Sequence, residues 1–285
     1  MQFLNFGLLK RAGVCLKRAA LVLSAALLGC QSSQQALQQL ALSHDHQLEV
    51  LSGNPFPLML STPLRRPDSA RLRVYLEGDG HAWATATQPS LDPTPHHLLV
   101  ARLAFEDPTP SLYLARPCQF ISAPACQPAL WTQKRFSAEV LDSLNDALKT
   151  IKARYGNQSF ELIGYSGGGA LALLLASQRD DIAQVQTLAG NLSPREWATL
   201  LKLSALTGSL DPLDYRQRLA LLPQRHFFGS ADRVVPPQLL TIYRQALGNA
   251  VCLESISVPG ASHIDGWNAA WHQWRNRPLK CNPHY

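Results

Sequence analysis

The chain has 285 residues, 46% of them hydrophobic and 16% charged, which is too apolar for a disordered chain and enough for one sizeable core of about 250 residues. The formal charge of +6 is concentrated at the start: Lys10, Arg11, Lys17 and Arg18 fall in the first 29 residues, which hold no acid, and the remainder sets 22 bases against 20 acids. With no Lys/Arg stripe elsewhere, a basic arm for nucleic acid is excluded as an expectation.

The chain opens with the pattern of an export signal. Lys10 to Arg18 supply a positive region, and Ala19 to Gly29 form an apolar run of 11 residues, well short of the roughly 20 that cross a bilayer. The run ends Leu27-Leu28-Gly29-Cys30. This resembles the bacterial lipobox, which implies that Cys30 is lipidated and becomes the mature N-terminus. Gln31 in place of Asp then implies the outer membrane where the envelope has two. The expected division is a signal over 1–29, a Gln- and Ser-rich tether over 30–46 in which Ala36 to Leu42 has helical character, and one domain over 47–285.

From Gln47 onward strands and helices alternate. Strands are expected at Leu48–Leu51, Phe56–Leu60, Leu72–Leu76 and Ser111–Ala115, the first two as an antiparallel hairpin turning at Gly53-Asn54-Pro55. A long amphipathic helix follows over Ser137–Tyr155, capped by Ser137, with Glu139 early and Lys149, Lys152 and Arg154 late, and Gly156 stops it. Then come a strand at Phe160–Gly164, an apolar helix at Ala170–Ser177, strands at Ile182–Leu188 and Arg225–Phe228, a helix at Pro237–Leu247, a strand at Leu253–Val258 and a closing helix at Ile264–Trp274. This alternation predicts an α/β fold with a mainly parallel sheet and helices on both faces. Residues 81–97 and 190–222 follow strand ends without strand pattern, and they are the candidate parts of a small cap over a site.

Cysteines fit an oxidising compartment. Besides Cys15 in the signal and Cys30, Cys118, Cys126, Cys252 and Cys281 remain. Three pairings are open, as are four free thiols. The expected pairs are Cys118–Cys126, across a short Pro-containing loop, and Cys252–Cys281, tying down the tail. No C-x-x-C spacing suggests a metal, and Asp79-x-His81 and His44-Asp45-His46 lack a third ligand at matching spacing.

The chemistry-bearing stretch is Gly164-Tyr165-Ser166-Gly167-Gly168, a G-x-S-x-G between a predicted strand and a predicted helix. A chain turning that sharply leaves no room for side chains two positions either side of the serine, whose hydroxyl is exposed at the apex. A hydroxyl is a weak nucleophile and needs an adjacent base, itself held by an acid.

In this motif and its context the chain resembles the α/β-hydrolases over roughly residues 47–275. The family's order of nucleophile, acid and histidine implies the other partners. Gly229-Ser230-Ala231-Asp232-Arg233-Val234-Val235-Pro236 resembles its acid-bearing segment, implying Asp232. Pro259-Gly260-Ala261-Ser262-His263 resembles its histidine loop, implying His263. Asp265 is the competing acid. Asp180, Asp181, Asp211, Asp214 and Glu254, with His226, His272 and His284, are expected in structural roles. Glu77-Gly78-Asp79-Gly80 resembles the family's H-G-G loop with Glu77 in place of His. This implies an oxyanion hole built from the Gly167 N–H and that of Asp79, or of neighbouring Gly80.

The resemblance implies a serine hydrolase acting on an acylated small molecule, a carboxylic ester first, with no metal or organic cofactor and with the lipid anchor as its link to the membrane. Peptidase, amidase or thioesterase activity uses the same machinery, and a non-catalytic envelope binding protein can share the fold. Trp83, Trp131 and Trp197 are candidate pocket residues whose expected role is core packing. Arg116-Pro117-Cys118 and Ala189-Gly190-Asn191 sit at strand ends with no assigned chemistry.

Overall fold

The computed structural model describes residues 32–53 and 55–281; the expected signal segment, Cys30, His284 and the centre of the predicted hairpin turn lie outside them. Eight strands form one sheet: β1 (His46–Leu51), β2 (Leu58–Pro63), β3 (Arg71–Leu76), β4 (Ser111–Leu114), β5 (Ser159–Tyr165), β6 (Ile182–Leu188), β7 (Gln224–Gly229) and β8 (Leu253–Val258). Their spatial order is β1-β2-β4-β3-β5-β6-β7-β8. β1 and β2 pair antiparallel, as do β2 and β4, and every other pairing is parallel. The α/β class expected from the alternation is therefore the one observed. β2 runs later than the sequence pattern suggests, because Ser61 and Thr62 are buried strand residues; Ser61 Oγ lies 3.3 Å from His46 Nδ1 and donates to the Gln47 carbonyl.

Helices cover both faces. On one side pack α3 (Ala138–Tyr155), α4 (Gly167–Gln178), the short α6 (Arg216–Leu219) and α7 (Gln238–Leu247). α3 begins with the Ser137 side chain accepting from Val140 N–H and ends at Gly156 in the left-handed region, as its sequence signals require. α4 is apolar all round, as a helix buried on every side must be. On the other face lie α1 (Ser33–Ser43), α2 (Leu99–Phe105) and α8 (Trp267–Trp274), and α5 (Pro194–Leu200) follows β6.

α1 corrects the expected tether. A capping box between Ser32 and Gln35 starts it, and Leu37 and Ala41 are fully buried in the cluster that contains Phe105. Two apolar residues four apart dock it, where the surrounding glutamines read as a solvated linker. α2 gave no sequence signal, since five of its seven residues are buried and nothing alternates.

A polar row crosses the sheet. Arg73 on β3 donates to Glu161 on β5 at 3.1 Å, Gln186 on β6 donates to Glu161 at 2.6 Å, and Arg225 on β7 donates to Gln186 at 3.2 Å and to Glu254 on β8 at 2.7 Å. The spare donors capture the chain after α8: Arg73 reaches the Arg275 carbonyl at 2.7 Å, and Arg225 those of Arg277 and Pro278 at 2.9 and 2.8 Å. Arg225 is wholly buried. The cysteines pair as Cys118–Cys126 and Cys252–Cys281, the second binding the tail to the β8 edge.

Removing one member of such a row strands the others without partners. Arg225→Leu is expected to cost about 3–5 kcal/mol, read as a lowered urea midpoint.

Candidate active site

The loops after the parallel strands converge where the strand order reverses, between β3 and β5. Ser166 lies there with φ 50° and ψ −121°, a conformation costly for a residue with a side chain. It is held by crowding. A Cβ on Gly164 would lie 2.3 Å from the Gly168 carbonyl oxygen, and one on Gly168 would lie 2.4 Å from the Leu76 carbonyl oxygen at the end of β3. The glycines two positions either side of the serine are thus the only residues that let β5 turn into α4 beneath β3.

Three side chains meet across this bend. His263 Nε2 lies 3.0 Å from Ser166 Oγ, and His263 Nδ1 lies 2.9 Å from Asp232 Oδ2. Asp232 is 4% exposed, and its Oδ1 accepts from Val234 and Val235 N–H at 2.8 and 2.9 Å, which fixes the carboxylate. A carboxylate facing Nδ1 keeps the ring proton there and leaves Nε2 free to accept from the hydroxyl. The histidine loop is anchored through its carbonyl, which accepts from Tyr165 Oη at 2.8 Å and from Trp267 Nε1 at 2.9 Å. Asp265, the competing acid, accepts instead from Ser262 Oγ. His226 is a core residue between Thr187 and Gln224, its pKa pushed down to about 3 by burial, and His272 faces Glu106 on the surface.

Gly167 opens α4 directly after Ser166, and Asp79 and Gly80 lie in the loop after β3. None of their three N–H groups has a protein acceptor among the described residues. The Asp79 side chain carries a feature that no local pattern announces. Its carboxylate is clamped by Arg116, from the loop after β4, and by Arg135 at 2.6 Å. Burial alone would raise the Asp79 pKa; the Arg135 and Arg116 guanidiniums outweigh it and hold the carboxyl below the usual range. Gly167 accommodates this clamp, since a Cβ there would lie 2.0 Å from Asp79 Oδ1. The Cys118–Cys126 disulfide closes the neighbouring loop, and Gln119 ties it to the β3 exit by donating to the Gly78 carbonyl at 3.0 Å.

Glu77 is 2% exposed and accepts from Tyr113 Oη at 2.7 Å and from Gly78 N–H at 2.9 Å. Burial outweighs these bonds and the nearby Arg116, and pushes its carboxyl up to about 7.

Ser166 and His263 open into a cavity of about 460 Å³. Both segments expected as cap contribute walls: His81, Trp83 and His96 from the first, Asn191 and Trp197 from the second. His81 and His96 stack at 4.2 Å. Trp83 and Trp197 therefore face the cavity rather than the core, the first from the loop after β3 and the second from α5, the short helix that follows β6. Trp131 is buried, its Nε1 donating to the Ser90 carbonyl. Among the described residues no cluster of three or more His, Cys, Asp or Glu side chains is placed to hold a metal. His44 and His46 instead pack on Phe105.

No protein-family model and no curated protein matches the sequence. Solved structures do. An esterase of Pyrococcus furiosus superposes with a TM-score of 0.60 at 13% identity, over 83% of this chain and 91% of that one. A putative dienelactone hydrolase of Klebsiella pneumoniae gives 0.54 at 20% identity over 81% and 98%. A serine hydrolase of Xanthomonas campestris described as lacking a lid gives 0.52 at 18% identity over 84% and 97%. The chain has the α/β-hydrolase fold.

Glu77 gives the molecule a pH dependence. Its carboxyl binds a proton more tightly folded than unfolded, where its pKa is near 4.5. Its contribution to stability is full below pH 4.5 and is lost as pH rises through about 7. Urea denaturation is expected to show a loss of roughly 3 kcal/mol between those limits, absent in Glu77→Gln.

Proposed function

We propose that the protein is a serine hydrolase that cleaves a carboxylic ester through an acyl-enzyme, with Ser166 as nucleophile, His263 as base and Asp232 as its orienting acid. The observation that carries this reading is the unbroken line from Asp232 Oδ2 through the His263 ring to Ser166 Oγ, with bonds of 2.9 and 3.0 Å, at the apex of a strained turn.

Nε2 takes the Ser166 proton as Oγ attacks the ester carbonyl. The imidazolium is stabilised by Asp232, and the oxygen that gains charge is received by the free N–H groups of Gly167 and of Asp79 or Gly80. The partial positive charge at the start of α4 adds to that stabilisation. His263 then protonates the departing alkoxide. A water molecule, deprotonated by the same Nε2, attacks the acyl-enzyme and releases the acid. Similarity to proteins described as an esterase and as hydrolases supports this assignment of class. Esters come before amides because one of the similar structures is described as an esterase.

The segment Lys10 to Cys30 supports an envelope location, with Cys30 as the lipid attachment point, and two disulfides suit an oxidising compartment. Cys30→Ser is expected to move the protein from the membrane fraction to the soluble one. A wild type already soluble after export would remove the anchor from the proposal.

Activity is tested on the purified protein with a fluorophosphonate probe and 4-nitrophenyl esters. Wild type is expected to label covalently, Ser166→Ala to lose labelling and turnover, and His263→Ala to lose about 10³-fold or more in kcat. A folded wild type that neither labels nor turns over an ester would leave a binding role on this fold.

A further inference from the structure

Two polar groups on the cavity wall are left over by that chemistry. The Asn191 side chain is 3% exposed, yet its amide has no hydrogen-bond partner among the described residues, and Oδ1 is fully enclosed. Its position is fixed all the same, because its own N–H donates to the Ser166 carbonyl at 2.8 Å. A buried amide without partners costs stability and calls for an explanation. Arg135 is 5% exposed. Its Nε donates to the Thr132 carbonyl at 2.6 Å and its Nη1 to Asp79 at 2.6 Å, while Nη2 has no protein acceptor among the described residues. The guanidinium stands 5.8 Å from the centre of the Trp197 ring, beside the cavity.

The charge count points the same way. Arg116 and Arg135 share a single carboxylate, that of Asp79, for which one arginine would suffice. Glu77 is the other acid on the wall, and burial holds it partly neutral at pH 7. The remaining titratable wall residues are histidines and Tyr165, whose hydroxyl burial keeps neutral, and Asp232 is occupied behind His263. The polar end of the cavity thus holds a cation in excess of its anions. A buried charge without a counter-charge is expensive, and a ligand that supplies the missing charge relieves it.

Resting on the hydrolase reading above, we propose that the substrate is an ester that carries a carboxylate, selected by Arg135 through Nη2, with the Asn191 amide as a second polar contact beside the scissile group. A planar carboxylate matches the planar fork of the guanidinium. The exposed side chains of Trp83, Val234 and Ile264 at the mouth accommodate the apolar remainder of such a molecule.

The test uses two matched pairs, so that the carboxylate is presented from either side of the ester. On the acyl side, mono-4-nitrophenyl glutarate is compared with 4-nitrophenyl pentanoate. On the alcohol side, 4-acetoxybenzoate is compared with 4-acetoxybenzamide. The readout is the ratio of kcat/KM for the charged ester to that for the neutral one, which cancels any general damage to the Asp79 loop. In wild type the charged ester of at least one pair is expected to be favoured roughly tenfold or more, and less so at high salt. The ratio is expected to fall to about 1 in Arg135→Gln and to recover in part in Arg135→Lys. Asn191→Leu is expected to lower kcat/KM without lowering the melting temperature, since no partner is abandoned; a structural amide would show the reverse. No charge preference in either pair, or a preference untouched by Arg135→Gln, overturns the inference while turnover of neutral esters keeps the hydrolase reading. Absence of both turnover and probe labelling overturns the two together.

Discussion

The approach of Gly168 to the end of β3 is the contact from which the site is built. With a Cβ position only 2.4 Å from the Leu76 carbonyl oxygen, α4 is packed against the β3 exit more closely than any side chain permits. That closeness forces β5 to reverse within two residues and leaves Ser166 at positive φ. It also sets the loop after β3 beside the first N–H of α4, so the proposed nucleophile and the proposed donors for an oxyanion arise from the same contact. The strain at Ser166 is offset by a helix buried on every side, whose leucines contribute on the order of 2 kcal/mol each on burial. A soft surface helix could not hold such a turn.

Crowding positions the backbone, and charge holds the loop above it. Asp79 is drawn between Arg116 and Arg135, and the loop that carries it is further tied by Gln119 to the Gly78 carbonyl. The result is a buried cluster drawn from two connections, the loop after β3 and the long segment between β4 and α3, so disturbing one is felt in the other. Glu77 stands next in line and is held by Tyr113 and its own neighbouring N–H. A fully ionised Glu77 would oppose the negative charge that the proposed reaction builds at the serine, and its desolvation works against that ionisation.

What could be read from the sequence follows from the range over which each requirement acts. The glycines around Ser166 answer to contacts made by a strand and helix adjacent in the chain, and the order of strands fixes which loops arrive beside them. Ser166, Asp232 and His263 do meet in space. Gly229 to Pro236 is equally local, because the N–H groups of Val234 and Val235 bind the carboxylate two and three residues back. The Asp79 clamp is different, since its arginines lie 37 and 56 residues downstream with no motif to mark them. The row from Arg73 to Glu254 was hidden for another reason: charged residues inside strands read as interruptions of an apolar pattern, and only the register of five strands shows that they complete one another. The segment of α1 reads as a tether with some helical character, because two buried residues among glutamines give a faint pattern until a neighbouring surface is known.

The row and the site are linked through α8. The carbonyls held by Arg73 and Arg225 begin at Trp274, the last residue of that helix, and continue through Arg275 and Arg277. α8 is seated by Trp267 and Trp271, both buried, and Trp271 Nε1 donates to Tyr75 Oη, which itself donates to Asp107. Trp267 Nε1 in turn donates to the His263 carbonyl. A chain of hydrogen bonds thus runs from the starts of the strands, through the tail and α8, to the loop that presents the imidazole. The polar row therefore does more than close the sheet. By fixing α8 it fixes where the histidine loop ends, and a distance of 3.0 Å between Nε2 and Oγ can be kept by a segment that is mostly exposed.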